Sequence, residues 1–180
     1  IQQIKKGGIV ILVDDEDREN EGDMVMAAQD ATPQNITMMA NEARGLICTP
    51  MIGDDLDRLG LPMQVQNNTA EHGTAFTVTV DSKFGITTGI SSADRSHTIQ
   101  LLADEESSAA NFVQPGHVFP LRYEEGGVLV RAGHTEGSVD LVRLAGKHPA
   151  CHRASVIQYF ADNGRRVLTS QSNKINWPFS

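Results

Sequence analysis

An acidic run near the start of the chain has the residue types and spacing for chemistry, with seven carboxylates between positions 14 and 23. A folded protein tolerates so much like charge where water, a cation or basic groups compensate it. Arg18 lies inside the run, and its guanidinium can bind an anion through two hydrogen bonds. The glycine at position 22 would let the chain turn and bring Glu19, Glu21 and Asp23 together. The run is therefore either a solvated turn or part of a divalent-cation site that residues elsewhere complete.

A calcium-binding EF-hand loop is the first alternative for such a run. With Asp17 at position one of that pattern, Glu19 and Glu21 fall correctly at positions three and five, and the glycine falls at position six. Position twelve must supply a bidentate glutamate, and here it is Ala28. An EF-hand is therefore excluded, whereas a cation site that uses one or two of these carboxylates stays open.

The segment from position 131 to 136 is a second candidate, because it combines the guanidinium of Arg131, the imidazole of His134 and the hydroxyl of Thr135. Phosphate groups bind arginine together with hydroxyl and backbone donors, and a helix N-terminus supplies backbone donors well. With Thr135 as the helix cap, these groups would converge on a phosphate. His134 could complete a hard-cation site with a glutamate of the acidic run, which would leave coordination positions for substrate oxygens.

Three further features carry weaker signals. His117, like His134, follows a glycine at the edge of an apolar segment. Residues 85–91 are rich in glycine and small hydroxyl residues, and such a segment can offer backbone N–H groups and hydroxyls to a phosphate. Cys48 is more typical of a small buried hydrophobic residue than of a nucleophile. No Gly-x-Ser-x-Gly, Walker or dinucleotide-binding glycine pattern is present.

Composition narrows the class of protein. A net charge of −8 argues against nucleic acid or an anionic membrane as a partner, because both require a basic face. Two cysteines are too few for a disulfide framework and are consistent with the reducing cytoplasm. No apolar run is long enough to span a membrane. At 180 residues, the chain is expected to form one domain over residues 1–180.

The elements that would position these residues alternate between strand and helix. The acidic run leaves a continuous apolar segment at 9–13, which is typical of a strand buried on both faces. Predicted strands lie at 9–13, 24–28, 46–51, 76–81 and 166–169, with strand or loop at 115–121 and 127–131. Predicted helices begin at Thr32–Pro33 and end at Gly45, and otherwise cover 54–59, from 92 through 102, 135–144 and 154–162. These assignments indicate a domain of mixed α and β structure.

Eight segments, in order over about residues 7–150, together resemble the 3,4-dihydroxy-2-butanone 4-phosphate synthase family. They are residues 14–23, 45–48, 67–69, 72–78, 87–91, 93–95, 115–121 and 131–136. The resemblance implies an α+β fold, with a three-layer α/β/α-type single domain and a mixed sheet. It also implies a cytoplasmic homodimer with its active sites near the subunit interface.

The activity that this resemblance implies is that of a lyase in riboflavin biosynthesis. The family's reaction converts D-ribulose 5-phosphate into formate and L-3,4-dihydroxy-2-butanone 4-phosphate with Mg²⁺, for which Mn²⁺ can substitute. Proton removal next to a ketone, loss of water, carbon migration and expulsion of formate all pass through enediolate-like anions. A divalent metal stabilises that charge as a Lewis acid, while acid and base groups relay protons. A metal-dependent isomerase or aldolase of another phosphosugar is an alternative within the same chemistry.

Matched position by position, the resemblance implies that Glu19 and His134 are metal ligands and that His117 is an essential catalytic histidine. Asp15, Glu21 and Cys48 match pocket residues and are expected to join Glu19 and His117 in catalysis. The implied substrate-binding positions are Arg18, Glu19, Asp23, Thr88, Arg131 and Thr135, with Arg131 and Thr135 at the phosphate and Thr88 assisting.

The sequence departs from the family pattern after Ala150, where the family continues into a strand that carries a catalytic glutamate. One alignment puts Gln158 at the position of that glutamate. The other takes residues 156–161 as the family's later helix and 167–169 as its last strand, which leaves the catalytic strand absent. The apolar pattern favours the second alignment. The alternative function is therefore a catalytically impaired paralogue that binds a phosphosugar.

Overall fold

The computed structural model describes residues 1–14 and 21–147, together with the backbone of residues 156–161 and 174–176. The helices in this part of the chain are α1 (Gln2–Lys5), α2 (Pro33–Glu42), α3 (Gly53–Arg58), α4 (Ser92–Leu102) and α5 (His134–Leu144). Short 3₁₀ turns lie at Ala28–Asp30, Ala109–Asn111 and Gly127–Leu129. The strands are β1 (Val10–Val13), β2 (Gly22–Ala27), β3 (Ile47–Met51), β4 (Val80–Ser82), β5 (Phe112–Arg122), β6 (Val156–Ala161) and β7 (Lys174–Asn176).

These strands form one mixed sheet in the order β4-β5-β3-β6-β2-β1-β7. Strands β3 and β5 pair in parallel, as do β1 and β7. The remaining neighbours pair antiparallel. The sequence predicted a mixed sheet within an α+β fold, and both predictions are confirmed.

Strands β1 and β2 pair antiparallel, with Val10 opposite Val25 and Val13 opposite Gly22. Gly22 is therefore the first residue of a strand and not a turn residue. Residues 14–21 of the acidic run connect the two strands, and the first and last residues of this connection meet. The backbone N–H of Glu21 donates to Asp14 Oδ1 at 2.9 Å, and that of Asp14 donates to the Glu21 carbonyl at 3.4 Å.

The sheet is buried on both faces, which explains why its strands read as continuous apolar runs. Met24 and Met26 of β2 belong to a core cluster that includes side chains of α2, α3 and α4. Val25 and Ala27, which alternate with them, pack in a second cluster with residues of α1 and α5. Because successive side chains of a strand point to opposite faces, helices cover both sides of the sheet. The expected three layers are confirmed.

The helix boundaries follow local signals closely. Pro33 is the first residue of α2, and the Thr32 hydroxyl accepts from the Asn35 backbone N–H at 3.2 Å, as a helix cap does. The helix ends at Glu42, before the predicted Gly45, because Arg44 adopts a left-handed conformation with φ 60°. Within the described residues, no helix is long and apolar enough to cross a membrane.

One predicted strand is shorter than expected, and one segment predicted as strand or loop contains a 3₁₀ turn. The alternating segment 76–81 forms regular strand over Val80–Ser82 alone, while Phe76 and Thr77 make isolated bridges. Residues 127–131 begin with the 3₁₀ turn, because Gly127 has φ +65° and leaves the extended region.

The interpretation of residues 156–161 as a helix is wrong, because this segment is strand β6. It pairs with β2 and β3, so that Gln158 lies opposite both Val25 and Cys48. β-branched and aromatic residues favour strands, and this position between two strands uses the hydrogen-bonding groups of both edges. A strand therefore exists where the preferred alignment left none, and the helix predicted over 154–162 is corrected with it. The strand predicted at 166–169 lies outside the described residues.

A polar cluster fixes α5 to the segment before it. The Tyr123 hydroxyl donates to Asp140 Oδ1 at 3.0 Å and accepts from Arg143 Nη1 at 2.9 Å. Asp140 Oδ2 also accepts from the Val128 backbone N–H at 3.0 Å. Burial and the Asp140 carboxylate raise the pKa of Tyr123 to about 12, so this hydroxyl stays protonated at neutral pH. These contacts hold α5 against the segment that contains Tyr123 and Val128.

Candidate active site

Two of the candidate residues, Asp23 and Cys48, lie on one face of the sheet, the face that α5 covers. Asp23 lies on the same face of β2 as Val25, which packs against α5. Cys48 is adjacent to Ile47 on β3, and Ile47 packs in the cluster on the other face, with α2, α3 and α4. Because side chains alternate along a strand, Asp23 and Cys48 both point to the α5 side, and the Asp23 carboxylate acts on the Cys48 thiol. His117 lies where the pairing of β5 with β4 shifts, and its position is given instead by its contacts with Asp81.

Cys48 is a protonated thiol at the base of this surface. Its side chain is fully buried, and burial together with the Asp23 carboxylate raises its pKa well above the usual range. A thiolate is the nucleophilic form of cysteine, so this residue is not an activated nucleophile. The expected role in lining the pocket is compatible with that state.

The first turn of α5 carries two further candidates, His134 and Thr135, each only 5% exposed. Gly133 is the N-cap residue, with an extended backbone, so the helix begins one residue earlier than predicted and Thr135 is not its cap. The correction has a physical reason: the Gly133 carbonyl already accepts the first helical hydrogen bond, from Gly137. The backbone N–H groups that follow the cap have no acceptor within the helix, which suits an anion.

Arg131, just before the N-terminus of α5, is held by a buried acid that the sequence interpretation did not single out. Arg131 Nη1 donates to Glu136 Oε2 at 2.6 Å, and Nη2 donates to the His72 carbonyl at 3.0 Å. Glu136 is 1% exposed, and its Oε1 accepts from the Glu124 backbone N–H. A Cβ on Gly133 would lie 2.6 Å from Arg131 Nη1 and from Glu136 Oε2, so a side chain at this position would displace the ion pair.

His117, the acid–base candidate, also has a buried acidic partner, which is Asp81 on β4. His117 Nδ1 lies 2.7 Å from Asp81 Oδ2, and the His117 backbone N–H donates to Asp81 Oδ1 at 2.8 Å. The His117 side chain is 43% exposed, while that of Asp81 is 8% exposed. The alternating pattern of 76–81 gave Asp81 no special role, and only the pairing of β4 with β5 reveals it.

The glycine-rich loop at 85–91 was predicted to offer its N–H groups and hydroxyls to a phosphate, but several of these groups bind Asp94 instead. Asp94 accepts from the Thr87 backbone N–H, the Thr87 hydroxyl and the Gly89 backbone N–H at 2.7 to 3.1 Å. Hydrogen bonds from Thr87, followed by those from Gly89 and Ser91, lower the pKa of Asp94 to about 2. These donors are therefore committed to Asp94 and not offered to a phosphate. Thr88 is exposed beside them.

The structure thus brings Asp23 and Cys48 to one face, pairs His117 with Asp81, and locates Arg131, His134 and Thr135 at the N-terminus of α5. Thr88 is adjacent to Gly89, which contacts the Asp81–His117 pair. Glu21 is the residue of the acidic run that directly precedes β2. Asp15, Arg18 and Glu19 lie outside the described residues. Among the residues that are described, no group of three or more His, Cys, Asp or Glu side chains could hold a metal.

Comparison with known proteins gives a consistent result. The model of the 3,4-dihydroxy-2-butanone 4-phosphate synthase family matches residues 1–174. The riboflavin biosynthesis protein RibBA of Nocardia farcinica is 47% identical over 191 residues, covering 98% of this chain and 46% of that protein. A 3,4-dihydroxy-2-butanone 4-phosphate synthase of Neisseria meningitidis is 55% identical over 150 residues, covering 83% of this chain and 41% of that protein. This chain thus spans less than half the length of these relatives.

A solved structure extends the likeness to three dimensions. It is described as 3,4-dihydroxy-2-butanone 4-phosphate synthase in complex with two magnesium ions, and it superimposes with a TM-score of 0.83 at 41% identity. The superposition covers 95% of this chain and 78% of that one. Sequence and fold agree on one assignment, and the chain belongs to the 3,4-dihydroxy-2-butanone 4-phosphate synthase family.

Proposed function

We propose that this chain converts D-ribulose 5-phosphate into formate and L-3,4-dihydroxy-2-butanone 4-phosphate, as a lyase of riboflavin biosynthesis. The observation that carries the proposal is the membership of the chain in this family. Asp23 and Cys48 on the sheet face covered by α5, and His117 bound to the buried Asp81, supply polar groups that a purely structural surface does not require.

Phosphate binding is assigned to Arg131 and Thr135. Arg131 retains partial exposure despite its bond to Glu136, and Thr135 lies in the first helical turn, where backbone N–H groups and the helix dipole favour an anion. Thr88 and Arg18 are proposed to assist. This local positive field is needed because the chain as a whole carries a net charge of −8.

Proton transfer is assigned to His117, with Asp15, Glu19 and Glu21 as further acid–base groups. Proton relays of this kind typically contribute ~10²–10⁴-fold to the rate. Asp23 is proposed to bind substrate hydroxyls. Cys48, as a neutral thiol, can donate a hydrogen bond into the pocket but does not attack the substrate.

A divalent cation fits the residue types proposed to hold it, Glu19 and His134. His134 is a nearly buried imidazole at the start of α5, and imidazole with carboxylate forms a common ligand set. When bound, Mg²⁺ would supply Lewis-acid stabilisation of negative charge on substrate oxygens, with Mn²⁺ as a substitute. The related structure that contains two magnesium ions supports this assignment.

The test is formate release from D-ribulose 5-phosphate by the full-length protein, with and without EDTA. We expect formate that depends on Mg²⁺, together with the four-carbon product identified by NMR. An isomerase or aldolase would yield no one-carbon fragment. Substrate binding without turnover would identify the impaired paralogue, and either result would contradict the proposed lyase.

Assembly and location are also proposals. We propose a cytoplasmic homodimer, in keeping with the family resemblance and the two-cysteine composition. Light scattering coupled to size-exclusion chromatography of the full-length protein tests the oligomeric state, and a monomer at micromolar concentration would contradict it.

A further inference from the structure

Asp81 is a buried carboxylate that the proposed reaction has not yet used. It is 5% exposed on β4, and both of its oxygens face His117. Oδ1 accepts the His117 backbone N–H at 2.8 Å, and Oδ2 lies 2.7 Å from ring Nδ1. One carboxylate therefore contacts both the backbone and the side chain of the same histidine, and these two contacts fix the orientation of the ring.

The surrounding backbone is shaped for this contact. The β4–β5 register shifts between Val80 and Asp81, and such an irregularity re-aims a side chain. A Cβ on Gly89 would lie 2.2 Å from Asp81 Oδ2 and 2.7 Å from His117 Nδ1. A Cβ on Gly116 would lie 2.2 Å from the Asp81 backbone nitrogen. Two glycines thus allow the chain to close around the pair.

The arrangement has a consequence for the histidine tautomer. An ionised carboxylate only accepts hydrogen bonds, so the ring nitrogen that faces it must carry the proton. In a neutral imidazole, the other nitrogen then has the free lone pair. Nδ1 of His117 is the nitrogen bound to Asp81, and Nε2 is therefore the proton acceptor.

We propose that Asp81 is a positioning residue that holds His117 in the Nδ1–H tautomer and so makes Nε2 the group that exchanges protons with the substrate. The inference rests on the proposed function, in which His117 transfers a proton. In that step, a bond from carbon to hydrogen next to the ketone breaks, and its electron pair stays on the substrate. Nε2 gains the proton, Asp81 stays ionised, and Nε2 later returns the proton.

Asp81→Asn keeps the shape of the side chain but should reverse the tautomer of His117. The His117 backbone N–H can only donate, so it selects the amide oxygen of the new side chain. The amide NH₂ then faces Nδ1 and forces the proton onto Nε2. We expect kcat for formate release to fall ~10²–10⁴-fold, whereas KM changes far less because the phosphate and metal contacts are intact.

Nitrogen-15 NMR of histidine-labelled full-length protein reads the tautomer directly, with His117→Gln used to assign the signal. In the wild-type protein, the neutral His117 ring should show a protonated Nδ1 and an unprotonated Nε2, and Asp81→Asn should invert this pattern. An Nε2–H tautomer in the wild-type protein would overturn the proposal, even if the variant failed to fold.

Asp55→Asn is the matched control, because Asp55 is a comparably buried carboxylate that pairs with Arg58 on α3. It should leave kcat and the His117 spectrum unchanged. A normal kcat in Asp81→Asn would contradict the inference. Absence of formate from the wild-type protein would instead contradict the proposed lyase, while the NMR result would still decide the role of Asp81.

Discussion

At the scale of single residues, the groups proposed to meet the substrate are held by buried acids that do not face it. Asp81 contacts His117, and Glu136 contacts Arg131. In both pairs the acid is nearly buried and its partner retains more exposure. A long or rotatable side chain thereby loses its freedom before the substrate arrives, which reduces the entropic cost of binding.

Glu136→Gln tests the Arg131 pair. The change keeps the shape of the side chain but removes a buried negative charge that Arg131 contacts at 2.6 Å. We expect KM for D-ribulose 5-phosphate to rise more than kcat falls, because phosphate binding loses its positioned guanidinium. The free energy of unfolding should fall by ~1–3 kcal/mol. Steady-state kinetics and urea denaturation measure the two effects.

Asp57→Asn is the control for that variant, since it removes an exposed carboxylate from Arg122 and leaves the pocket untouched. KM should be unchanged in it. An unaltered KM in Glu136→Gln would show that Arg131 is oriented without its acid.

Cys48 gives a prediction about reactivity. Because its pKa is raised and its side chain is buried, the native protein should not be alkylated there by iodoacetamide at neutral pH. Unfolding in urea should make the same thiol reactive. The experiment uses Cys151→Ser so that mass spectrometry follows one cysteine, and rapid alkylation of the native protein would contradict a protonated, enclosed thiol.

At the scale of elements, the loop before α4 is organised by a carboxylate within the first turn of that helix. Asp94 binds two backbone N–H groups and one hydroxyl of residues 87–89, and its own N–H donates to the Ser91 hydroxyl. Gly89 of this loop contacts the Asp81–His117 pair. The order of the loop is therefore linked to the position of the proposed proton-transfer group.

Acidification should release this loop. The pKa of Asp94 is lowered from 3.8 to about 2 in the folded chain, so its stabilising effect is complete above the unfolded value. It is lost as the pH falls through the folded value. We expect Asp94→Asn to lower Tm at pH 6, with a difference from wild type that shrinks between about pH 4 and pH 2.

Thermal unfolding at a series of pH values measures that difference. Asp54→Asn, which alters an exposed carboxylate on α3, should lower Tm far less at pH 6. A Tm difference for Asp94→Asn that stayed constant down to pH 2 would contradict the role of the ionised carboxylate.

The sequence predicted the elements better than it predicted the contacts between them. The start of α2 and the β1–β2 pair follow from local caps and apolar runs, which the chain carries within a few residues. Strand β6 was missed because Val156–Ala161 also suits an apolar helix, and its true partners, β2 and β3, are over a hundred residues away. Asp81 and Glu136 were missed for the same reason, since burial by distant strands decides their roles.

At the scale of the whole molecule, an acidic protein is proposed to bind an anionic sugar phosphate. The net charge of −8 opposes this ligand at long range, so attraction has to come from local groups. Arg131, the first turn of α5 and a divalent cation are the proposed sources. The cation would also offset repulsion within the acidic run, six of whose seven carboxylates lie between β1 and β2.

Magnesium should therefore stabilise the whole fold. A ligand that binds only the folded state contributes about 2.7 kcal/mol at one hundred times its Kd. We expect Tm of the metal-free protein to rise on addition of Mg²⁺ and to fall again with EDTA. Glu19→Gln and His134→Ala should each abolish this rise and also abolish formate release. We expect Glu19→Gln to stay folded because it keeps the size of the side chain, and His134→Ala because His134 belongs to neither apolar cluster of the described residues.

The controls are Glu42→Gln on α2 and His97→Ala on α4, which make similar chemical changes at exposed positions. Both should keep the full response to Mg²⁺, because a nonspecific effect of the cation on an acidic surface would not depend on Glu19 or His134. If all four variants responded alike, screening of the net charge would explain the stabilisation. A metal bound between the acidic run and α5 would then be the wrong explanation.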